Sequence, residues 1–186
     1  MKQICLALFF AGALIAADQV FDLDPSKTDI SFSVPSTLHT VHGKFKLKRG
    51  SLRFDTETGK ATGEIVIDAT SGESGSDSRD KRMHKEILET KKYPEGVFTP
   101  DQVKGEVAAL APSSVDVHGV LNIHGQDHEL TLHFDVRPDG NRYAASTHFT
   151  VPYIQWGMKN PSNFLLKVDP NVEVEVKAIL AADERR

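Results

Sequence analysis

Two neighbouring stretches of alternating residues, between positions 115 and 136, constrain the fold of this chain more than any other feature. The apolar residues at alternate positions are Val115, Val117, Gly119, Leu121 and Ile123 in the first stretch and Leu130, Leu132, Phe134 and Val136 in the second. Polar residues fill almost every position between them. This alternation predicts two β-strands, each with one face buried and one face in water.

The connection between these two strands determines which residues face each other. A loop with an even number of residues, such as Gln126-Asp127, keeps apolar side chains opposite apolar side chains, whereas an odd loop places them opposite polar ones. With that loop, the sequence predicts that Ile123 pairs with Leu130 and that Leu121 pairs with Leu132.

The same alternation recurs along most of the chain. Further strands are predicted at residues 28–34, 41–47, 51–55, 61–68, 97–99, 102–109, 142–151, 164–168 and 172–180. Turns are predicted at Arg49-Gly50, Thr58-Gly59 and Asp139-Gly140, and residues 70–78, rich in Gly and Ser, are predicted to form a loop. Short strands separated by tight turns are typical of an antiparallel meander.

One helix is predicted, over residues 79–90. Met83 and Ile87 lie on one side of it at helical spacing, and Asp77 or Ser78 precedes it as a capping residue. Tyr93-Pro94 ends it, because the residue before a proline resists the helical conformation.

Eight or more short antiparallel strands with one helix either pack as two sheets or close into a barrel. Closure removes the exposed edges that invite aggregation, and a barrel of about eight strands has room for one small ligand. The leading prediction is therefore an all-β fold, an extended eight-stranded antiparallel lipocalin-like barrel with one short helix. The 186 residues suffice for one such domain.

Residues 1–17 have the pattern of a secretory signal peptide. Lys2 precedes an apolar run that ends in Ala16-Ala17, which predicts cleavage near Ala17 and a mature domain of residues 18–186 in the periplasm or outside the cell. The run is too short for stable membrane insertion. The single cysteine, Cys5, lies within it, so the mature domain is expected to have no disulfide. A net charge of −4 argues against nucleic acid as a partner.

Several short motifs together resemble the YceI-like family of exported polyisoprenoid-binding proteins, over residues 21–180. They are Gly43-Lys44-Phe45, Arg79-Asp80, Met83-His84, Tyr93-Pro94 with Phe98, Gly119 with Ile123-His124-Gly125, and the closing alternation from Val172 to Ala178. The resemblance implies an eight-stranded lipocalin-like barrel with a helical element near its mouth. It also implies a long-chain isoprenoid or acyl lipid as the partner, held in an apolar channel for transport, storage or shielding.

One segment departs from the family pattern. Many relatives carry an Asn-Arg-x-x-Phe-Gly type segment near the end of the chain, whereas residues 151–158 read Val-Pro-Tyr-Ile-Gln-Trp-Gly-Met here. Only the glycine is kept, so contacts to a ligand head group are not carried over to this segment.

The candidate ligand-binding residues are the inward apolar rows and two residues of the helix. They are Phe32, Val34, Phe45, Leu47, Ile65, Ile67, Leu121, Ile123, Leu132, Phe134 and Phe149, together with Arg79 and His84. Gly43, Gly63 and Gly119 fall on the inward set and favour open space inside the barrel. Side chains that simply fill a structural barrel would give the same pattern, and that alternative is left open.

Arg79 and His84 are chosen because the start of a helix attracts anions, and a guanidinium can bind a phosphate head through two hydrogen bonds. A solvated, salt-bridged helix end explains the same residues equally well. The eight histidines show no HxH or HExxH spacing, so neither a metal nor another cofactor is expected. No nucleophile motif is present and no catalytic residue is assigned, although an enzyme acting on a hydrophobic substrate in the same cavity stays an alternative. A homodimer is neither predicted nor excluded.

Overall fold

Nine antiparallel strands, joined mostly by short connections, wind around one axis. The computed structural model describes residues 18–182. The strands are β1 (Asp18–Leu23), β2 (Asp29–Val34), β3 (Val41–Asp55), β4 (Ala61–Glu73), β5 (Glu95–Gly105), β6 (Ser113–Ile123), β7 (Gln126–Asp139), β8 (Arg142–Val151) and β9 (Val172–Ala182). The predicted signal peptide and Cys5 lie outside the described residues.

The sheet closes on itself. Each strand from β3 to β8 pairs with the strand that follows it in the chain. The barrel closes because β1 and β2 each pair with both β3 and β9. These two short strands share one position, because β1 pairs with the second halves of β3 and β9, and β2 pairs with their first halves. The barrel therefore has eight strand positions, which confirms the predicted fold class.

The alternating apolar side chains of β6 and β7 face the barrel interior, as the sequence predicts. Val115, Val117 and Leu121 of β6 are each less than 7% exposed, as are Leu132 and Val136 of β7. The largest cluster of buried side chains lies between β1, β3 and β5–β8, toward the end of the barrel where β1 begins. Burial of these rows excludes water from the barrel axis and supplies most of the driving force for closure.

The predicted register between β6 and β7 is wrong by four residues. Ile123 pairs with Gln126 and Leu121 pairs with His128, through a two-residue turn formed by His124 and Gly125. Both turn residues have positive φ, of 54° and 73°, as a type I′ hairpin turn requires. A shift of four preserves the parity of the pairing, so the inward faces stay correct although every predicted partner changes.

The turn predicted at Arg49-Gly50 does not exist. β3 continues through it as one strand of 15 residues, and the pairing with β4 shifts between Leu47 and Arg49. Leu47 before the shift and Leu52 after it both face inward although their separation is odd, because a β-bulge adds one residue to the strand. The same device joins the two strands predicted at 97–99 and 102–109 into one strand, β5, with a shift between Pro100 and Gln102.

The helical element is shorter and less regular than predicted. An α-helix, α1 (Asp77–Arg82), runs directly into a π-helical segment, Met83–Ile87, and Glu89 then takes a positive φ of 46°. Strand β4 extends to Glu73, so the predicted loop shrinks to a few residues. The helix begins after Ser76 without a hydrogen bond from a capping side chain, which corrects the predicted cap.

The inward glycines do not leave open space. A Cβ added at Gly43 would lie 2.3 Å from Cζ of Phe32, and one added at Gly119 would lie 2.9 Å from Cζ of Phe98. At Gly63 it would meet the backbone oxygen of Ser51 at 2.3 Å. Aromatic rings and neighbouring strands therefore occupy the room that the missing side chains provide.

Candidate functional site

The barrel interior contains two apolar cavities. The deeper cavity has a volume of about 120 Å³ and is lined by apolar side chains of every strand position, with Thr28 and Thr147 as the only residues in its lining that carry a polar side chain. A cavity of this size and polarity favours an apolar occupant over water, because water needs two or more polar partners.

The outer cavity has a volume of about 300 Å³. It lies at the end of the barrel where the connections 35–40, 74–94, 124–125 and 152–171 meet, and this end is called the mouth below. The connection 152–171 and the helical element roof the cavity with Met83, Ile87, Tyr153 and Met158. Its lining includes Leu38, which is 75% exposed, so the cavity reaches the protein surface beside this residue.

The two cavities lie end to end along the same inward rows. On β9, Val172 and Val174 line the outer cavity, and Val176, Ala178 and Leu180 line the deeper one. This row spans roughly 27 Å of strand at about 3.4 Å per residue. Strands of a barrel tilt by about 35–45°, so the two cavities together are roughly 20 Å deep.

Aromatic rings mark the boundary between the cavities and close the deeper end. The rings of Phe32 and Phe45 lie 5.3 Å apart between centroids on the outer side of the boundary. At the deep end, Phe21 contacts both Phe54 and Tyr143, with centroid distances of 6.2 and 5.5 Å. Access to the interior is therefore from the mouth.

Most of the predicted ligand-binding residues line one of the two cavities. The outer cavity is lined by Phe32, Val34, Phe45, Ile123 and Arg79, and the deeper cavity by Leu47, Ile65, Ile67, Leu121, Leu132, Phe134 and Phe149. The structure therefore places twelve of the thirteen candidates in the linings of two cavities that lie end to end, and only His84 is outside both.

His84 is bound to the protein rather than directed at the cavity. Its Nε2 donates to the backbone oxygen of Gly72 at 2.8 Å, and its Nδ1 lies 3.5 Å from the hydroxyl of Thr90. These contacts attach the helical element to the end of β4. His84 is therefore positioned to hold the roof in place and not to contact a ligand.

Arg79 is partly committed to the protein. Its Nε donates to Oγ of Ser74 and its Nη2 donates to the backbone oxygen of Ser74, both at 2.7 Å. Asp80 accepts hydrogen bonds from the amide and hydroxyl of the same serine. The guanidinium is thus fixed at the edge of the outer cavity, next to Arg82, which also lines it.

Tyr153 of the roof is not among the candidate residues predicted from the sequence. Tyr153 is 5% exposed and its hydroxyl has no hydrogen-bond partner among the described residues. Burial raises the pKa of this phenol to about 12, and Asp169 acts in the same direction. The sequence contains a signal for Tyr153, because every second residue from Thr147 through Phe149 and Val151 faces inward and position 153 continues this alternation.

The roof is held down at two places. The ring of Trp156 stacks on His128 of β7, with centroids 3.9 Å apart and planes 8° from parallel. Burial lowers the pKa of this histidine, with Asp127 acting against the shift. Lys159 donates to Glu86 at 2.8 Å and holds the pKa of that carboxyl below its ordinary value, which joins the roof to the π-helical segment.

Four further histidines, His118, His124, His133 and His148, pair with carboxylates. His118 contacts Asp101 at 2.6 Å and His133 contacts Asp116 at 2.7 Å. Within residues 18–182, no group of three or more His, Cys, Asp or Glu side chains is arranged to hold a metal ion. The linings of the two cavities contain no carboxylate and no cysteine.

Fold and cavities together define a closed antiparallel barrel protein with an apolar interior that opens at one end. The family model described as a YceI-like domain matches residues 21–180, and the chain therefore belongs to the YceI-like family. This confirms the resemblance seen in the sequence. In the described part of the chain, no helix is both long and apolar enough to span a membrane.

Individual relatives are distant in sequence. Protein YceI of Escherichia coli O6:H1 is 29% identical over 128 residues, which is 67% of this chain and 64% of that protein. Protein YceI of Salmonella newport is 26% identical over 137 residues, covering 72% of this chain and 69% of the relative. The chain thus spans slightly less than two thirds of the E. coli relative.

Three solved structures share the fold. A polyisoprenoid-binding domain from Saccharophagus degradans, implicated in plant cell wall breakdown, superposes with a TM-score of 0.69 at 21% identity, covering 88% of this chain and 98% of that domain. BcnA of Burkholderia cenocepacia gives 0.68 at 16% identity, with coverage of 85% and 99%. The YceI protein of Campylobacter jejuni gives 0.61 at 15% identity, with coverage of 78% and 86%.

Proposed function

We propose that this protein binds the apolar tail of a long-chain isoprenoid or similar lipid inside the barrel and carries or shields it after export. The observation that supports the proposal most directly is the pair of end-to-end apolar cavities with charged side chains only at the mouth. The S. degradans neighbour, which binds a polyisoprenoid, has the same fold.

The depth of the interior sets the length of tail that fits. An extended chain of single bonds advances roughly 1.2 Å per bond, the same rate as an extended polypeptide. A depth of roughly 20 Å therefore holds about 16 bonds, or about four isoprene units in full extension. A longer tail bends inside the barrel or leaves part of its length at the mouth.

Burial of the tail supplies the affinity. Each buried methylene contributes about 0.8 kcal/mol, so a five-carbon unit contributes roughly 4 kcal/mol before ordering costs. Affinity should rise by at least about tenfold per isoprene unit until the interior is full, and then level off. In this proposal a polar or anionic head group stays at the mouth beside Arg79 and Arg82, which line the outer cavity.

The test is to identify what the protein carries and then to block the space. Native mass spectrometry of protein purified from its own exported fraction, followed by solvent extraction, should show a stoichiometric lipid. Prenyl alcohols of increasing length should then bind with the length dependence given above. A protein without lipid that also takes up no added prenyl alcohol contradicts the proposal.

A matched pair of variants locates the ligand. Ala145 of β8 is 6% exposed and lines the deeper cavity, whereas its neighbour Ala144 is outside both cavity linings. Ala145→Phe should place its ring in the deeper cavity and weaken binding at least a hundredfold, while Ala144→Phe should bind as the wild type does. If the ring proves too large for the fold, Ala145→Leu gives a smaller block with the same expected direction. Equal binding by all variants contradicts a ligand in the deeper cavity.

Export is part of the proposal. It rests on residues 1–17, whose charged start, apolar run and small-residue exit fit a signal peptide. Intact mass measurement of the protein from the periplasmic or secreted fraction should give a chain that begins near Asp18. A full-length chain retained in the cytoplasm contradicts this part and leaves ligand binding to be judged by the tests above.

A further inference from the structure

Exposed apolar side chains are concentrated at the mouth. Among the described residues, four large hydrophobic side chains are largely exposed, namely Leu38, Leu110, Phe164 and Leu165 at 75%, 97%, 94% and 82%. Leu38 lies in the connection between β2 and β3, and Phe164 and Leu165 lie in the connection between β8 and β9. These three residues are called the apolar rim below. Leu110 lies at the opposite end of the barrel, between β5 and β6.

The backbone holds the rim in position. The two connections pair through a bridge between Ser36 and Val168, and the amide of Thr37 donates to the backbone oxygen of Lys167 at 2.9 Å. In the turn itself, Oδ1 of Asn163 accepts from the amides of residues 165 and 166 at 2.9 and 2.8 Å. Hydrogen bonds therefore fix a turn whose tip presents Phe164 and Leu165 outward.

The rim is continuous with the outer cavity. Leu38 belongs both to the rim and to the cavity lining, and Leu166, directly after the rim residue Leu165, lines the cavity. An apolar path thus runs from the exposed side chains into the barrel. A lipid tail that moves along this path stays in contact with apolar side chains and avoids the cost of entering water.

The charges around the rim suit an anionic lipid surface. Segments 74–94 and 152–171 carry eight Lys and Arg residues against five Asp and Glu residues, although the whole chain has a net charge of −4. The two connections that form the rim, 35–40 and 161–168, contain Lys167 and no carboxylate. Apolar side chains flanked by basic ones are typical of segments that lie in the interface of a bilayer with anionic lipids.

We propose that the apolar rim of Leu38, Phe164 and Leu165 docks on the surface of an anionic lipid bilayer and so lets lipid pass between the bilayer and the barrel. This inference rests on the proposed lipid-binding function and adds the source of the ligand. Docking places the opening of the outer cavity against the lipid surface, while the opposite end of the barrel stays in water.

Vesicle binding tests the docking step. Vesicles of phosphatidylethanolamine with a quarter phosphatidylglycerol should sediment the wild-type protein, and pure phosphatidylcholine vesicles should bind it less. The double variant Phe164→Ser/Leu165→Ser should lower the vesicle partition coefficient at least tenfold. Leu110→Ser, which removes an equally exposed leucine from the opposite end, should leave it unchanged. Because all three residues are exposed, thermal unfolding of the variants should match the wild type.

Lipid exchange separates this inference from the proposed function. A fluorescent prenyl probe is supplied either from vesicles or as a dilute ethanol stock. The double variant should take up the probe from vesicles at least tenfold more slowly, yet bind it from ethanol with unchanged affinity. Failure of the wild type to bind the probe from either source overturns the lipid-binding function itself.

Three results overturn the docking inference while leaving lipid binding intact. They are a wild-type protein that binds neither kind of vesicle, a double variant that binds vesicles and exchanges probe like the wild type, and a Leu110→Ser variant as defective as the double variant. Sedimentation velocity covers one more outcome. If the wild type is a dimer and the double variant a monomer, with no vesicle binding by either, the rim is a contact between two copies of the chain and the proposal is wrong.

Discussion

Replacing Gly125 by alanine tests the hairpin turn that sets the register of β6 and β7. Gly125 has a φ of 73° and follows His124, whose φ is 54°. An added Cβ would lie 2.4 Å from Cε1 and 3.0 Å from Cζ of Tyr93, although carbon contacts are ordinarily 3.4–4 Å. The tyrosine ring packs against His124 with a centroid distance of 4.7 Å, so it must leave this contact to admit the methyl group.

The size of the effect follows from three contributions. A positive φ costs a residue other than glycine about 1–2 kcal/mol. Lower freedom of the unfolded chain offsets about 0.4–1 kcal/mol of that. Displacement of the Tyr93 ring removes an aromatic contact worth about 0.5–1.5 kcal/mol. Gly125→Ala should therefore lower the free energy of unfolding by about 0.5–3 kcal/mol, and each kcal/mol should lower the Tm by about 2–4 °C in a chain of this length.

Urea unfolding followed by circular dichroism measures the change. Gly140→Ala is the matched control, because Gly140 also lies in a two-residue hairpin turn, has a φ of 62° and would place its Cβ within 4 Å of nothing. Its cost should be the backbone contribution alone. In a Tyr93→Ala background, the free-energy cost of Gly125→Ala should be smaller by the contribution of the Tyr93 ring. Equal costs at the two glycines, together with no coupling to Tyr93 beyond about 0.3 kcal/mol, would refute the contact.

Three further predictions concern the barrel interior and its roof. Tyr153→Phe should raise the free energy of unfolding by about 1 kcal/mol, because it removes a buried hydroxyl that has no partner among the described residues. It should also abolish the phenol ionisation near pH 12 in an ultraviolet titration. A lower free energy of unfolding contradicts an unpaired buried hydroxyl. Burial lowers the pKa of His128 below 6.5, so the unfolded state binds a proton at a higher pH than the folded state does. The free energy of unfolding should therefore fall as the pH drops below about 6.5. Urea titrations should show a smaller loss between pH 7 and 5 for His128→Gln, and an equal or larger loss contradicts the shift. Gly43→Ala should lower the free energy of unfolding by more than about 2 kcal/mol, because the new Cβ would meet the Phe32 ring at 2.3 Å and the backbone oxygen of residue 73 at 2.4 Å. Adding Phe32→Leu to this variant should restore part of the loss only if the ring is the obstacle.

Parity explains which parts of the fold could be predicted from the sequence. Alternation fixes the face to which each side chain belongs, and a closed barrel assigns one face to the interior. Leu121 and Leu132 were therefore placed inside correctly even though they do not pair with each other. Alternation contains no information about a shift of two or four residues, which turn chemistry decides. The glycine at the second turn position, Gly125, was the signal that separates the two registers.

Phase changes in the alternation were harder to interpret. When two inward residues are separated by an odd number of positions, as Leu47 and Leu52 are, the chain contains either a turn or a bulge between them. Glycine is common in both, so Gly50 does not distinguish them. The neighbouring strand decides, because β4 offers continuous hydrogen-bonding partners to β3 on both sides of Gly50. This is information from outside the segment. The π-helical segment likewise has no local signal, and its geometry accompanies contacts such as that of His84 with Gly72.

The segment that departs from the family pattern is the segment that roofs the mouth. Val151, Tyr153 and Met158 form a small buried cluster there, packed against side chains of the π-helical segment and the start of β9. Under the proposed function, the tail of a lipid would contact the apolar rows of the strands, whereas its head would contact this roof. Under the proposed function, we expect the arginines of the helical element and the roof residues from position 151 to 158 to select the head group. Exchanging residues 151–158 with a relative's segment should then change the preferred head group, while the dependence on tail length stays the same.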